Sequence, residues 1–156
     1  LKSSSHVNWL DSTSNDFYIT GIQLEVGSTA TDFEHLPYDV QLQRCQRYYY
    51  QEDVYSGAGG VGHVGCGQCN TTTRMDVPLR FPVTMRAAPT MSFSAGNTFR
   101  AQHAGTLTAG SSIAAESESG HGTMIMLTVS SGLTAGRAGV LIHNNTACQV
   151  KADAEL

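Results

Sequence analysis

The chain has 156 residues, a formal net charge of −4 and only 14% charged residues, against ~25% in an ordinary soluble domain. It has no basic cluster, so the positive footprint of a nucleic-acid binder is missing, and no apolar run reaches the ~20 residues that span a bilayer. That length suffices for one domain with its own core, and its 16 glycines, scattered between short apolar runs, point to a mainly β protein with many turns.

Residues 1–16 are polar and serine-rich, with Trp9-Leu10 as the only large apolar pair, and read as a loop or the end of an upstream module. Leu1-Lys2 is followed by serines, with neither an initiator Met nor the apolar core of a signal peptide. The chain therefore reads as a fragment or processed product of a longer protein. From Phe17 to Val26 the apolar residues alternate: Phe17, Ile19 and Gly21 on one parity, then Ile22, Leu24 and Val26 on the other. Such alternation marks a half-buried strand, and the slip at Gly21 marks a bulge, the alternative being a strand buried on both faces. Gly27-Ser28 ends it.

Helical spacing takes over after Pro37, which suits a first helical turn. Tyr38, Leu42, Cys45 and Tyr49 fall at i, i+4, i+7 and i+11, one face of a helix, with Asp39, Gln43, Arg44 and Arg47 on the other. A helix this short is marginal alone, so its apolar stripe must dock on another surface. Tyr48, Tyr49 and Tyr50 could stack on sugars, but they read more simply as packing for a subunit interface or the core. Tyr38, Leu42, Cys45, Tyr48 and Tyr49 are thus the candidate subunit interface. The organisation expected is the end of an upstream β module with a linker over 1–34, a connecting helix over 35–50 and a C-terminal β-domain over 51–156.

The glycine-rich run GAGGVGHVGCGQC follows, poorly specified in strand register. Met75, Val77, Leu79, Phe81, Val83 and Met85 then alternate without error; Pro78 and Pro82 lie on the polar parity, which places this strand at an edge or kinks it. Thr123–Val129 is apolar on both parities, so it is a central strand. Cys148, Val150, Ala152, Ala154 and Leu156 alternate with Gln149, Lys151, Asp153 and Glu155 as a last, integral strand. Between Gly96 and Gly122 large apolar residues are sparse, and short strands with exposed loops are expected.

Chemistry offers few footholds. His63, Cys66 and Cys69 lack the spacing and the fourth ligand of a zinc site, and in a strand Cys66 and Cys69 face opposite ways. Cys45 and Cys148 read as small buried hydrophobes. Glu116 and Glu118 could work as a glycosidase pair only across a shaped cleft; between serines they read as solvated. The glycine run lacks the Lys-Ser/Thr of a phosphate loop, and no nucleophile motif is present. No catalytic residue, metal or cofactor is expected. Recognition falls by elimination on the Gly96–Gly122 region, whose groups suit sugar hydroxyls: Asn97, Arg100, Gln102, His103, Glu116, Glu118 and His121, with Phe99 as the only ring nearby.

The run GIQLEVGSTATDFEHLPYD with LQRCQRYYY resembles the junction of many bacteriophage tail-fibre and tailspike proteins, where a carbohydrate-binding-type jelly roll ends in GxQLExG, a short helix with CQRYY follows, and a C-terminal β-domain comes next. VPLRFPVTMRAAPTMSFS and the terminal KADAEL resemble matching parts of that domain, whereas residues 97–145 match nothing in the family. The resemblance implies a homotrimer on the virion tail, acting outside the cell in host attachment, with a host cell-surface glycan or receptor and other virion tail proteins as partners. The fold expected is one strand and one short helix ahead of an antiparallel, jelly-roll-like β-sandwich. The function expected is structural and receptor-binding rather than enzymatic; the alternatives are a tailspike depolymerase fragment acting on host polysaccharide and a purely structural trimerisation or virion-decoration domain.

Overall fold

The computed structural model describes residue 16 and residues 18–52, 62–144 and 147–155. They divide into two units, one ending at Leu36 and one starting at Pro37. The expectations for residues 1–15, Phe17, the glycines of 57–60 and Leu156 lie outside the described residues.

Among the described residues of the first unit the alternating run forms no strand. Tyr18–Val26 makes no ladder among the described residues, and Ile19, Ile22, Leu24 and Val26 are exposed. A strand needs a neighbour for its backbone groups, and the described part of this unit supplies none. Gly21 lies at φ 69°, so the slip of phase marks a local change of backbone direction that a glycine makes easily. Residues 23–34 are tied by side chains instead. The Glu25 carboxylate accepts both the backbone N–H and the hydroxyl of Thr31 at 2.6 Å, and Gln23 Oε1 accepts the Glu34 N–H at 2.8 Å.

The second unit opens with helix α1 (Tyr38–Gln46), capped by Pro37 at φ −56°, ψ 145°, one residue ahead of the first turn. The helix is shorter than 35–50 because Tyr49 already belongs to strand β1 (Tyr49–Glu52), where it pairs with Asp153. The strands that follow are β2 (His63–Cys69), β3 (Arg74–Arg80), β4 (Thr90–Phe93), β5 (Phe99–His103), β6 (Thr106–Ser119), β7 (Gly122–Val129), β8 (Ala138–His143) and β9 (Val150–Asp153). The protein is mainly β with one short helix. Six strands close into an antiparallel barrel in the order β2-β3-β7-β6-β5-β8, and the other three form a sheet in the order β1-β9-β4. A barrel with an attached sheet thus stands where a sandwich was expected. Strand β6 explains the closure. It is 14 residues long, its register shifts at Gly110–Ser112 and Glu116–Ser119, and it pairs with β5 at its start and β7 beyond, so the sheet curls onto itself.

The Gly96–Gly122 stretch is therefore mostly strand, not loop. A 3-10 turn at Gly96–Thr98 leads into β5, and Ala104 and Gly105, at φ 49° and 77°, make the tight primed turn into β6. Its small residues hid the strands from a search for large apolar ones, yet they are packing requirements: a Cβ on Gly110 would lie 2.6 Å from Leu127 Cδ1.

One core serves barrel and sheet. Met75, Val77 and Leu79 of β3, Phe99 and Ala101 of β5, Ile125, Leu127 and Val129 of β7 and Leu141 of β8 meet Cys148, Val150, Ala152 and Ala154 around β9. The alternating run of β3 stops at Arg80, but Phe81 and Met85 stay buried in the following segment. Phe81 N–H bonds His121 O and Val129 N–H bonds Thr73 O, so odd-numbered residues of β3 carry the ladder to β7. Pro78, on the other parity, turns its missing N–H towards β2, whose ladder with β3 covers only Gln68↔Asp76 and Cys69↔Met75. Glycine lets β2 come this close, because a Cβ on Gly67 would fall 2.0 Å from Asp76 O. Strand β7 lies between β3 and β6, central as its pattern required, and β9 lies between β1 and β4, an integral strand.

Candidate functional surface

The residues assigned to recognition do not form one patch. Phe99, Ala101 and His103 alternate inward along β5, while Arg100 and Gln102 take the outer parity. Phe99 is fully buried, and His103 is buried with Nε2 accepting the Thr134 N–H at 3.1 Å, so neither ring is free to meet a ligand. Asn97 accepts the Asn144 side-chain amide on its carbonyl at 3.2 Å. His121 sits on the β6–β7 turn with Nδ1 3.3 Å from the Thr84 hydroxyl. Glu116 is taken by Arg74 Nη2 at 3.2 Å, and Arg74 Nε also binds Asp76 at 2.5 Å. Those carboxylates, Asp76 first, push the Arg74 guanidinium further up. Ser117, at φ 57°, carries the bulge between Glu116 and Glu118, and Glu118 is exposed. The two glutamates therefore do not face each other as a two-carboxylate pair across a cleft.

The cysteines stand apart. Cys66 is exposed and Cys69 buried, on opposite faces of β2 as the strand period requires; burial pushes the Cys69 and Cys148 thiols up. Among the described residues all four cysteines are free and no group of three His, Cys, Asp or Glu side chains could hold a metal.

Two surfaces remain, both reached through the tyrosines. The first is α1. None of its residues is buried: Tyr38 is 78% exposed, Leu42 40%, and Cys45 is exposed as well. At its C-terminal end the helix is held by Arg86 N–H on Arg47 O and Ala154 N–H on Tyr48 O, both at 2.8 Å. Its side-chain stripe stays open. Tyr48, also exposed, leads out of it.

No known family profile, curated protein or solved structure matches this chain.

The second surface is the outer face of the three-stranded sheet. Tyr50 turns inward, 5.7 Å from the Phe81 ring, and its hydroxyl donates to the Glu52 carboxylate. Tyr49 turns outward and donates its hydroxyl to Gln51 Oε1 at 3.0 Å, which fixes the ring along the strand. Opposite in register stand Tyr49, Asp153 and Thr90 in one row and Gln51, Lys151 and Ser92 in the next. Thr90, Ser92, Asp153 and Glu155 line a groove of about 420 Å³. The Glu155 N–H holds Asp153 Oδ1 at 2.9 Å, so that carboxylate is oriented in advance. The sequence did carry a signal for this face: it is the polar parity of the last alternating strand, Lys151, Asp153 and Glu155. Its neighbours, Thr90, Ser92 and Gln51, come from strands far away in the chain, and only the register unites them.

Proposed function

We propose that this chain is a structural and receptor-binding part of a phage tail fibre, non-enzymatic and assembled as a homotrimer. The observation that carries the reading is α1: a nine-residue helix with no buried residue, lying within the stretch that resembles a fibre junction. Isolated helices shorter than ~12–15 residues are marginal in water, so the open stripe of Tyr38, Leu42 and Cys45, extended by Tyr48, is read as packing against the same stripe of two further copies. Residues 18–36, with Ile19, Ile22, Leu24 and Val26 exposed, belong to the same junction and link the β-domain to other tail proteins. Glu116, ion-paired to Arg74, and Glu118, set apart from it by the bulge at Ser117, do not form the facing pair that a depolymerase would need, which supports the non-enzymatic reading.

Tyr49 lies outside the helical stripe, and we assign it to recognition. Sugars are held by hydrogen bonds and by an apolar ring face, and the sheet's outer face presents a ring, two hydroxyls, an amide, an ammonium and a carboxylate on a rigid ladder. One shallow site binds weakly, and three on one trimer gain avidity where geometry lets them engage together.

Sedimentation of the full chain at micromolar concentration tests the assembly. A trimer is expected, and Leu42→Ala is expected to weaken it by ~2–5 kcal/mol if Leu42 is fully buried between subunits. A stable monomer would end the fibre reading. Binding to an array of bacterial surface glycans tests recognition. Each lost hydrogen bond costs about 0.5–1.5 kcal/mol, so the Tyr49→Ala, Lys151→Ala double variant is expected to lose roughly tenfold or more in affinity with the trimer intact. Unchanged binding by the variant moves recognition off this sheet.

A further inference from the structure

We propose that His143 is an acid-sensitive latch at the seam where the barrel meets the three-stranded sheet. It is the last residue of β8 and is 1% exposed, with its ring edge-on to Phe99 at 6.1 Å and 81°. Among the described residues neither ring nitrogen has a hydrogen-bond partner. A neutral imidazole carries one donor and one acceptor, so this ring already leaves both unmet; an imidazolium would bury two unmet donors and a charge, which is far more costly. Folding here requires the neutral ring.

The surrounding backbone makes that cost matter. His143 N–H bonds Gly62 O at 2.8 Å, just ahead of β2, and Asn144 N–H bonds Thr98 O at 2.7 Å. The Thr98 hydroxyl donates to Ala95 O at 2.7 Å and lies 2.7 Å from the Ser94 hydroxyl and 3.6 Å from Cys148 Sγ. Ser94 and Gln149 exchange two more bonds, Ser94 N–H on Gln149 O at 3.1 Å and Gln149 N–H on Ser94 Oγ at 3.0 Å. A continuous chain of hydrogen bonds thus runs from the end of β8, through the 3-10 turn, to the end of β4 and the start of β9. A ring forced to take a proton at its barrel end loosens the whole seam.

The groups facing the ring are mixed. Glu52, half-buried at the end of β1, favours the proton, and His63 of β2 opposes it; burial outweighs both and holds the His143 ring below the ordinary imidazole range. Phe99 of β5 adds no charge. Cys148, ahead of β9, stays a neutral thiol because burial pushes it up. The sign follows. Above the ordinary value of 6.5 the ring is neutral whether folded or unfolded and adds no pH dependence to stability. Below it the unfolded chain takes up a proton that the folded chain refuses, so stability falls with pH until the lowered folded value is passed.

The test is the full chain taken from about pH 7.5 to about pH 5, with urea unfolding and amide exchange read together. Below the ordinary imidazole value we expect the urea midpoint to drop and the protection factors of the Thr98, His143 and Asn144 amides, taken relative to the intrinsic exchange rate at each pH, to fall by up to roughly tenfold per pH unit, ahead of the β3–β7 amides. The His143→Phe variant should flatten both trends, while His35→Ala and His121→Ala keep them. An unchanged pH slope in His143→Phe overturns the proposal. Should that variant not fold, imidazole carbon shifts of the wild type decide. A ring that stays neutral until the seam opens supports the latch. A ring that takes its proton near the ordinary value, with the protection factors unchanged, overturns it.

Discussion

Strand β3 and the segment Tyr18–Val26 carry the same kind of signal and meet opposite fates. In β3, Met75, Val77 and Leu79 alternate with polar residues and are at most 7% exposed. In the earlier segment Ile19, Ile22, Leu24 and Val26 repeat the pattern, yet Leu24 and Val26 are exposed at 99% and 108%. Periodicity states what a segment is able to bury. It does not state that the chain supplies the cover. Strand β3 has β7 along its whole length, seven register pairs from Arg74↔Thr128 to Arg80↔Gly122. No ladder is formed by the described residues of the first unit. The contrast extends to cohesion: the β-domain is held by buried apolar surface, and residues 23–34 by a few side-chain hydrogen bonds around Glu25 and Gln23.

The largest expected effect comes from removing the element on which the covered region most depends. Truncation ahead of Cys148 deletes β9, the centre of its sheet, with four register pairs to β1 and four to β4. Burial of Val150 alone contributes about 1.5–3 kcal/mol, and a domain's whole stability is only about 5–15 kcal/mol. The lost side chains and the two newly bared strand edges together approach that total, so the truncated protein is expected to be insoluble or unfolded. Soluble truncated protein with a wild-type far-ultraviolet spectrum would show that the barrel stands without the sheet.

A pair of leucines measures the contrast directly. Leu127, fully buried on β7, is expected to cost ~2–5 kcal/mol when changed to Ala. Leu24→Ala is expected to stay within about 0.5 kcal/mol in urea unfolding of the β-domain. Equal effects from the two would mean that Tyr18–Val26 is covered in solution, and the comparison would fail.

These outcomes bear on what the sequence could reveal. The buried residues of β3, β7 and β9 were legible because large apolar side chains repeat every second position. The helix after Pro37 was legible from its stripe, although Tyr49 matched the helical period by coincidence and belongs to a strand. Strand β5 was missed because Phe99, Ala101 and His103 mix a ring, a methyl and an imidazole on the inner parity. Closure of the barrel was not legible, since it depends on bulges in β6 and on glycines at Gly67 and Gly110, where what matters is how near the facing strand lies. The outer face of the small sheet was half legible: one strand's polar parity was visible, but its neighbours come from Gln51 and Thr90, a hundred and about sixty residues away.

The smallest expected effect lies in the exposed region and sharpens the contrast from its other side. If residues 23–34 are held by local polar contacts, Glu25 should report it. The Thr31 hydroxyl, and then the Thr31 N–H, bond its carboxylate and hold it below the ordinary carboxylate value, outweighing a slight opposing effect of desolvation. The sign is that of a lowered acid: the contacts favour the charged form, so they are present above the ordinary value and lost as pH falls through the lowered one. Carboxyl-carbon shifts followed from neutral to acid pH are expected to place the Glu25 midpoint below the ordinary glutamate value. Thr31→Val removes the hydroxyl and keeps the N–H, and it should raise the Glu25 midpoint part of the way back. Neither change should alter the unfolding of the β-domain, because no apolar burial is involved. A Glu25 that titrates at the ordinary glutamate value would mean that the Thr31 contact does not persist in solution.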